Sequence, residues 1–226
     1  MRTLIAEDLL LLLLDDDKGT LAHSDKIQPV LGGALLIELA LAERIEVGDK
    51  THLWSMAKVA VIDGAPVDDP LLLAAIATIA EKPRGAQDIV VQLGKGTKEK
   101  VLQRLEERGL VHPVKGTVLG LFPRTTWPAA DRAHEDAVRT LIQGPLVNGT
   151  SADARTSALI SLLAAIGQAH KVVERGDVPA RDIKARAKVI SDGDWAAKAV
   201  KDAVAAAQAA MAAAMVAITT GAAAGS

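Results

Sequence analysis

The chain contains no cysteine, and its aromatic residues are few: among 226 residues there are three Trp, one Phe and no Tyr. The lack of cysteine excludes a scaffold held by disulfides, a thiol nucleophile and zinc sites built from thiolates. Because aromatics are scarce, Ala and Leu supply most of the apolar content. This composition favours closely packed helices over a β-sandwich or barrel.

Long hydrophobic runs and a strong net charge are also missing. The leucines at 9–14 end at three aspartates, so that run is too short to span a bilayer. The alanine-rich stretch 203–218 is short as well, and alanine contributes little to membrane transfer. We expect two buried helices here and no signal peptide. With a net charge of −2, any contact with an anionic partner must use a local patch.

Motifs of catalysis and metal binding are absent from the sequence. The five histidines are scattered without the spacing of a metal pair, and there is no nucleophile elbow, P-loop or dinucleotide fingerprint. The acidic clusters 15–17 and 68–69 stand where helix ends are expected, and capping accounts for them. We therefore expect a protein that is not an enzyme and that carries no metal or other cofactor.

The hydrophobic periodicity predicts a mainly α fold, a compact single domain over 1–226 with two small β-hairpins and a frayed end at 220–226. The segment 31–41 is apolar on all sides and should be a central helix, so Glu38 within it needs a partner or a path to solvent. Further helices are expected after a Thr3 cap through 9–14, and over 71–81, 86–93, 129–143, from 150–151 onward, 179–190 and 194–219. Segments 44–47 and 58–62 should form the first hairpin.

The stretch Gly94-Lys95-Gly96-Thr97-Lys98 opens another predicted helix, with Thr97 as N-cap and Gly109 as its end. The free backbone N–H groups and the positive dipole end at a helix start favour an anion. Lys95 and Lys98 add mobile charge there, which suits a phosphorylated ligand. The alternative is that these lysines simply solvate the helix start.

A second hairpin is predicted from 110–114 and 117–122, with its turn at Lys115-Gly116. An apolar strand end beside a basic loop suits a membrane interface, although it also suits ordinary core packing. Lys26, Lys115 and Arg124 could extend the basic patch. The apolar residues of this strand end are Val118, Leu119, Leu121 and Phe122.

A helix followed by a hairpin is also the arrangement of a winged-helix nucleic-acid-binding protein, which is the alternative interpretation. Its recognition helix would have to offer side chains that read bases. Here the exposed face includes Glu99, Glu106 and Glu107, whose carboxylates oppose backbone phosphates. We therefore expect no nucleic-acid partner.

The segment 31–41, followed by Arg44-Ile45, resembles the Leu-Arg-Gly-x-x-Leu-x-Glu-Leu block of the Golgi phosphoprotein 3 family. Segments 6–11, 98–109 with its hairpin, and 157–163 resemble that family in the same order. The resemblance implies a mainly helical domain on the cytoplasmic face of a membrane. In eukaryotic members it implies recognition of phosphatidylinositol 4-phosphate and retention of Golgi glycosyltransferases. An anionic membrane lipid and a membrane-protein cargo are thus the implied partners, and the alanine-rich composition suggests a bacterial member.

The family's headgroup pocket uses a Trp, an Arg and two basic residues three apart. The resemblance places the two basic residues on Lys95 and Lys98, the Trp near His23 and the Arg on Gly32. One pocket cation is thereby lost. Since lysine lacks the bidentate fork of arginine, weaker or less selective binding is implied. The membrane-inserting hairpin of the family corresponds to 110–122.

Overall fold

The computed structural model of the chain describes residues 2–15, 17–21, 26–47, 58–118, 122–193 and 198–223. This part of the chain is mainly helical, as the sequence predicts. Its helices are α1 (Ile5–Leu13), α2 (Ile27–Leu41), α3 (Pro70–Ala80), α4 (Ala86–Gly94), α5 (Thr97–Glu107), α6 (Ala133–Gln143), α7 (Ala154–Ala165), α8 (Ala180–Ser191) and α9 (Lys198–Ala223). Its strands are β1 (Ile45–Val47), β2 (Lys58–Val61), β3 (Arg84–Gly85), β4 (Val114–Val118) and β5 (Phe122–Thr126).

Two small antiparallel sheets accompany the helices. The first has the order β1-β2-β3, with Ile45 paired to Val61 and Val59 paired to Arg84. The expected first hairpin therefore exists and gains a short third strand. The second sheet is the β4–β5 hairpin.

Helix α2 is the centre of the core, as predicted from its all-round apolar sequence, and α4, α7 and α9 pack around it. It runs antiparallel to α4, because Gln28 lies opposite Gly94 and Gly32 lies opposite Val90. The first sheet follows the C-terminal end of α2 directly, so the N-terminal end of α2 and the turn after α4 lie together at the other end. Among the described residues, no helix combines the length and the hydropathy that a membrane span requires.

Helix α1 is fully buried, and its acidic first turn is neutralised by arginines from other helices. The Glu7 carboxylate accepts hydrogen bonds from Leu4 N (2.6 Å) and from Arg104 Nε (3.1 Å). Asp8 pairs with His134 at 2.8 Å and with Arg155 at 3.1 Å. Ion pairs and hydrogen bonds of this kind hold α1, α5, α6 and α7 in fixed positions, because removing a partner would leave a buried carboxylate with fewer hydrogen bonds.

Glu38 has the partners that its position in α2 requires. Its carboxylate accepts from Arg155 at 2.5 Å and from Ile5 N at 2.6 Å. Burial raises the pKa of Glu38 above its ordinary value, and the Arg155 guanidinium and the Ile5 N–H oppose that rise. The prediction of a partner for Glu38 is confirmed.

Several predicted helix ends are wrong by a few residues. Leu4, rather than Thr3, precedes α1, and the Thr3 hydroxyl contacts His134 instead. Helix α6 starts at Ala133 and passes into a π-helical turn, Gly144–Asn148, instead of stopping at 144–145. The next helix is capped by Asp153, which accepts from Thr156 N at 2.7 Å, so it does not begin at 150–151. Helix α9 continues through Ala223.

The turn of the second hairpin is also corrected. Lys115 and Gly116 lie inside β4, paired with Thr125 and Arg124, so they form no turn. The last ladder pair is Val118 with Phe122. Glycine permits a turn without requiring one, and here the longer ladder takes both residues into regular pairing.

Candidate functional site

The turn between α4 and α5 is fixed to the core on both sides. Gly96 has a φ of +68°, a left-handed conformation that glycine adopts without a steric cost. Thr97 is the first helical residue rather than the N-cap, because Gly96 takes that place. The Thr97 side chain is buried and donates its hydroxyl to Leu93 O at 2.5 Å. Since Gly96 has no side chain, the N–H groups at the start of α5 receive no cap from it.

Lys95 and Lys98 both reach solvent at this turn. Lys95 is exposed, and its Nζ donates to Gln92 Oε1 at 3.2 Å. The Lys98 side chain is 35% exposed, and its Nζ lies 3.1 Å from Glu99 Oε1. The structure therefore brings the two predicted lysines together on one short turn.

Glu99 is the acid nearest to this pair of lysines. Partial burial acts to raise the pKa of its carboxyl, but hydrogen bonds from its own backbone N–H and from Lys98, with the charge of Lys98, bring the pKa below its ordinary value. Glu99 thus takes the position that an external anion would take at the helix start. An external anion at this helix start would compete with this carboxylate for Lys98.

Gly32 lies in the buried contact between α2 and α4. A Cβ atom built at Gly32 would stand 1.9 Å from Val90 O and 2.8 Å from Gly94 N, and one built at Gly94 would stand 2.1 Å from Gln28 O. The two helices therefore meet backbone to backbone, and the position of the family's pocket arginine has no room for a side chain. Gly32 contributes close helix packing and no charge to the turn.

His23 lies outside the described residues, but both ends of the connection that carries it are placed. Near its start, Gly19 O accepts from Trp127 N at 2.8 Å, at the base of the β4–β5 hairpin. At its end, Gln28 of α2 contacts the Gly94 backbone beside Lys95. The described ends of the α1–α2 connection therefore lie at the base of the hairpin and beside the lysine turn.

The β4–β5 hairpin is exposed on both faces. All of residues 114–117 and 124–125 are exposed, and Val114 retains 44% of its surface. In a ladder that packs on a core, alternate residues would be buried, so this hairpin projects from the body. Leu119 and Leu121 lie outside the described residues, and Val118 and Phe122 are placed by their backbone pairing alone.

Arg104 anchors α5 and was missed in the sequence reasoning. It donates to Glu7 of α1 and to Asp69, where the Nη2–Oδ2 distance is 2.6 Å. These partners raise the pKa of the Arg104 guanidinium, although burial alone would lower it. One signal was present: Arg104 stands three residues after Val101 and borders the apolar face of the helix.

A model of the Golgi phosphoprotein 3 (GPP34) family matches residues 5–207 of the chain. The matched range contains the lysine turn, the β4–β5 hairpin and all elements from α1 to the first part of α9. The comparison with curated proteins gave no match. Within the described part of the chain, no group of three or more histidine, aspartate or glutamate side chains is placed to hold a metal ion.

Proposed function

Because the chain belongs to the Golgi phosphoprotein 3 family, we propose that it is a peripheral membrane adaptor that binds an anionic lipid headgroup at the Lys95–Lys98 turn. By family, the headgroup is that of phosphatidylinositol 4-phosphate. One observation carries the proposal: two amines that reach solvent stand on one short turn at a helix start whose N-cap residue, Gly96, has no side chain. The proposed adaptor has no catalytic activity and docks on the cytoplasmic face of a membrane.

The physical basis is charge attraction at a site that is already formed. A phosphate at the start of α5 would receive backbone N–H groups and the positive end of the helix dipole. Each lysine near an anionic surface contributes about 1 kcal/mol. Since these amines are exposed, mobile salt should weaken the binding.

The β4–β5 hairpin is proposed as the apolar part of the docking surface. Its projection from the body supports this role. Leu119 and Leu121 stand in the segment that joins the last ladder pair, where apolar side chains could enter the acyl boundary. A membrane-protein cargo would then be held beside the lipid surface.

Vesicle co-sedimentation tests the proposed site. The vesicles contain phosphatidylcholine alone, with phosphatidylinositol, or with phosphatidylinositol 4-phosphate. The wild-type protein should pellet best with the phosphorylated lipid, and Lys95→Ala/Lys98→Ala should lose that preference. The matched control is Lys58→Ala/Lys201→Ala, which removes two exposed lysines elsewhere.

Two outcomes count against the proposal. Equal pelleting of the wild type and of the Lys95→Ala/Lys98→Ala variant would remove the turn as the binding site. A shift of duplex DNA in a gel at physiological salt would favour the winged-helix alternative. The exposed positions of Glu99, Glu106 and Glu107 on α5 argue against that shift.

A further inference from the structure

Lys26 stands close to the lysine turn although it is far from it in sequence. It is the residue that precedes α2, and its side chain is partly exposed. Two residues later, Gln28 O lies 2.1 Å from the position of a Cβ at Gly94. Two residues span about 3 Å along a helix axis, and Lys95 follows Gly94 directly. Lys26 is therefore a near neighbour of Lys95.

Among the described residues at the start of α2, which begin at Lys26, the first turn contains no acidic residue, and the N-cap residue Lys26 makes no side-chain cap. Asp25, which precedes Lys26 in the sequence, lies outside the described residues. Within the described part of the chain, the Lys26 side chain has no hydrogen bond or ion pair, whereas Lys95 is held by Gln92 and Lys98 by Glu99. Among the described residues, no contact of the Lys26 amine would therefore have to break for it to turn toward an anion.

We propose that Lys26 is a third headgroup-binding cation, which replaces the charge that the family carries at the position of Gly32. This inference rests on the proposed function of the lysine turn. The close approach of α2 and α4 leaves no room for a side chain at Gly32, and the same approach brings the start of α2 to Lys95. The starts of α2 and α5, with Lys26, Lys95 and Lys98, then face one phosphorylated headgroup, which suits a ligand with more than one anionic oxygen.

Surface plasmon resonance on captured vesicles tests the inference. The vesicles contain phosphatidylcholine with phosphatidylinositol 4-phosphate, or with phosphatidylserine at the same total charge. Lys26→Ala should weaken binding to the first kind about fivefold, the equivalent of one well-placed lysine. It should weaken binding to the second kind less. Lys26→Arg should bind with the wild-type affinity. Lys58→Ala, in strand β2 near the C-terminal end of α2, should leave the affinity unchanged.

The outcomes separate this inference from the proposed function. If Lys95→Ala/Lys98→Ala loses binding while Lys26→Ala behaves like Lys58→Ala, the third cation is wrong and the lysine turn stands. An equal loss on both kinds of vesicle would show that Lys26 acts through general surface charge, and would overturn its role at the headgroup. If the wild-type protein binds the phosphorylated lipid no better than phosphatidylcholine, the proposed function falls, and this inference falls with it.

Discussion

A methyl group added at Gly32 tests the close contact between α2 and α4. In Gly32→Ala the new Cβ would lie 1.9 Å from Val90 O. An ordinary contact of this kind is about 3.4 Å or more, so the α4 backbone would have to move by more than an ångström. Because backbone cannot rotate away as a side chain can, relief requires shifting a whole helix.

The size of the effect follows from two opposing contributions. Overpacking a core costs about 1–3 kcal/mol. Replacing glycine by alanine within a helix returns about 0.5–1 kcal/mol. An overlap as deep as this one belongs at the upper end of the overpacking range, so we expect a net loss of about 2 kcal/mol. In a domain of this size, that loss lowers Tm by roughly 4–8 °C.

Thermal and denaturant unfolding of glycine variants measures this effect. Gly94→Ala should lose stability in the same range, because its Cβ would stand 2.1 Å from Gln28 O. Gly116→Ala is the matched control: it lies in an exposed strand with no atom closer than 4.0 Å to the new methyl group, so its stability should not fall. If Gly32→Ala were as stable as Gly116→Ala, the backbone contact between α2 and α4 would be wrong. The explanation of why position 32 has no room for an arginine would then be wrong as well.

Three further predictions concern charged residues. Arg104→Ala should lower the free energy of unfolding in urea by about 3 kcal/mol. This value is at the lower end of the range for breaking a buried ion pair, because Glu7 still pairs with Arg108. A loss below about 1 kcal/mol would contradict this prediction. The pKa of Glu38 is raised in the folded state. The stability that this raised pKa contributes is therefore complete below about pH 4.5, the ordinary pKa of a glutamate, and is lost as the pH rises through the pKa of the folded state. The stability advantage of wild type over Glu38→Gln should shrink in that window, and an advantage that grows would refute the sign. Glu99→Gln frees Lys98 from its carboxylate partner, so vesicle binding should tighten several-fold in co-sedimentation, whereas the same change at an exposed control, Glu106→Gln, should have a smaller effect.

The sequence predicts the fold best where one residue type has one local role. Asp69 before Pro70 caps α3 as expected, accepting from Leu71 N at 2.9 Å, and Gly109 follows α5 with a φ of +71°. The all-round apolar sequence of α2 likewise places it at the centre. These signals depend on neighbours in the chain, so a single sequence contains them.

The site is predicted less completely, because much of it depends on contacts between distant residues. Lys95 and Lys98 are visible as a local pattern. The proximity of Lys26 to them depends on how closely α2 and α4 pack. Gly32 and Gly94 allow this close packing, but their presence in the sequence does not predict it. The position of Lys115 and Gly116 inside β4 likewise depends on their pairing with β5 across the hairpin. Local turn propensity instead favours a register with its turn at Lys115-Gly116, which is wrong.

A backbone amide titration tests the central claim, that a phosphorylated headgroup binds at the start of α5, most directly. The ¹H–¹⁵N spectrum of the labelled protein is followed while the soluble headgroup of phosphatidylinositol 4-phosphate is added. The largest shifts should fall on Lys95, Gly96, Thr97, Lys98 and Glu99, and Lys95→Ala/Lys98→Ala should abolish them. Saturable shifts that centre elsewhere, or that persist in the double variant, would contradict the claim.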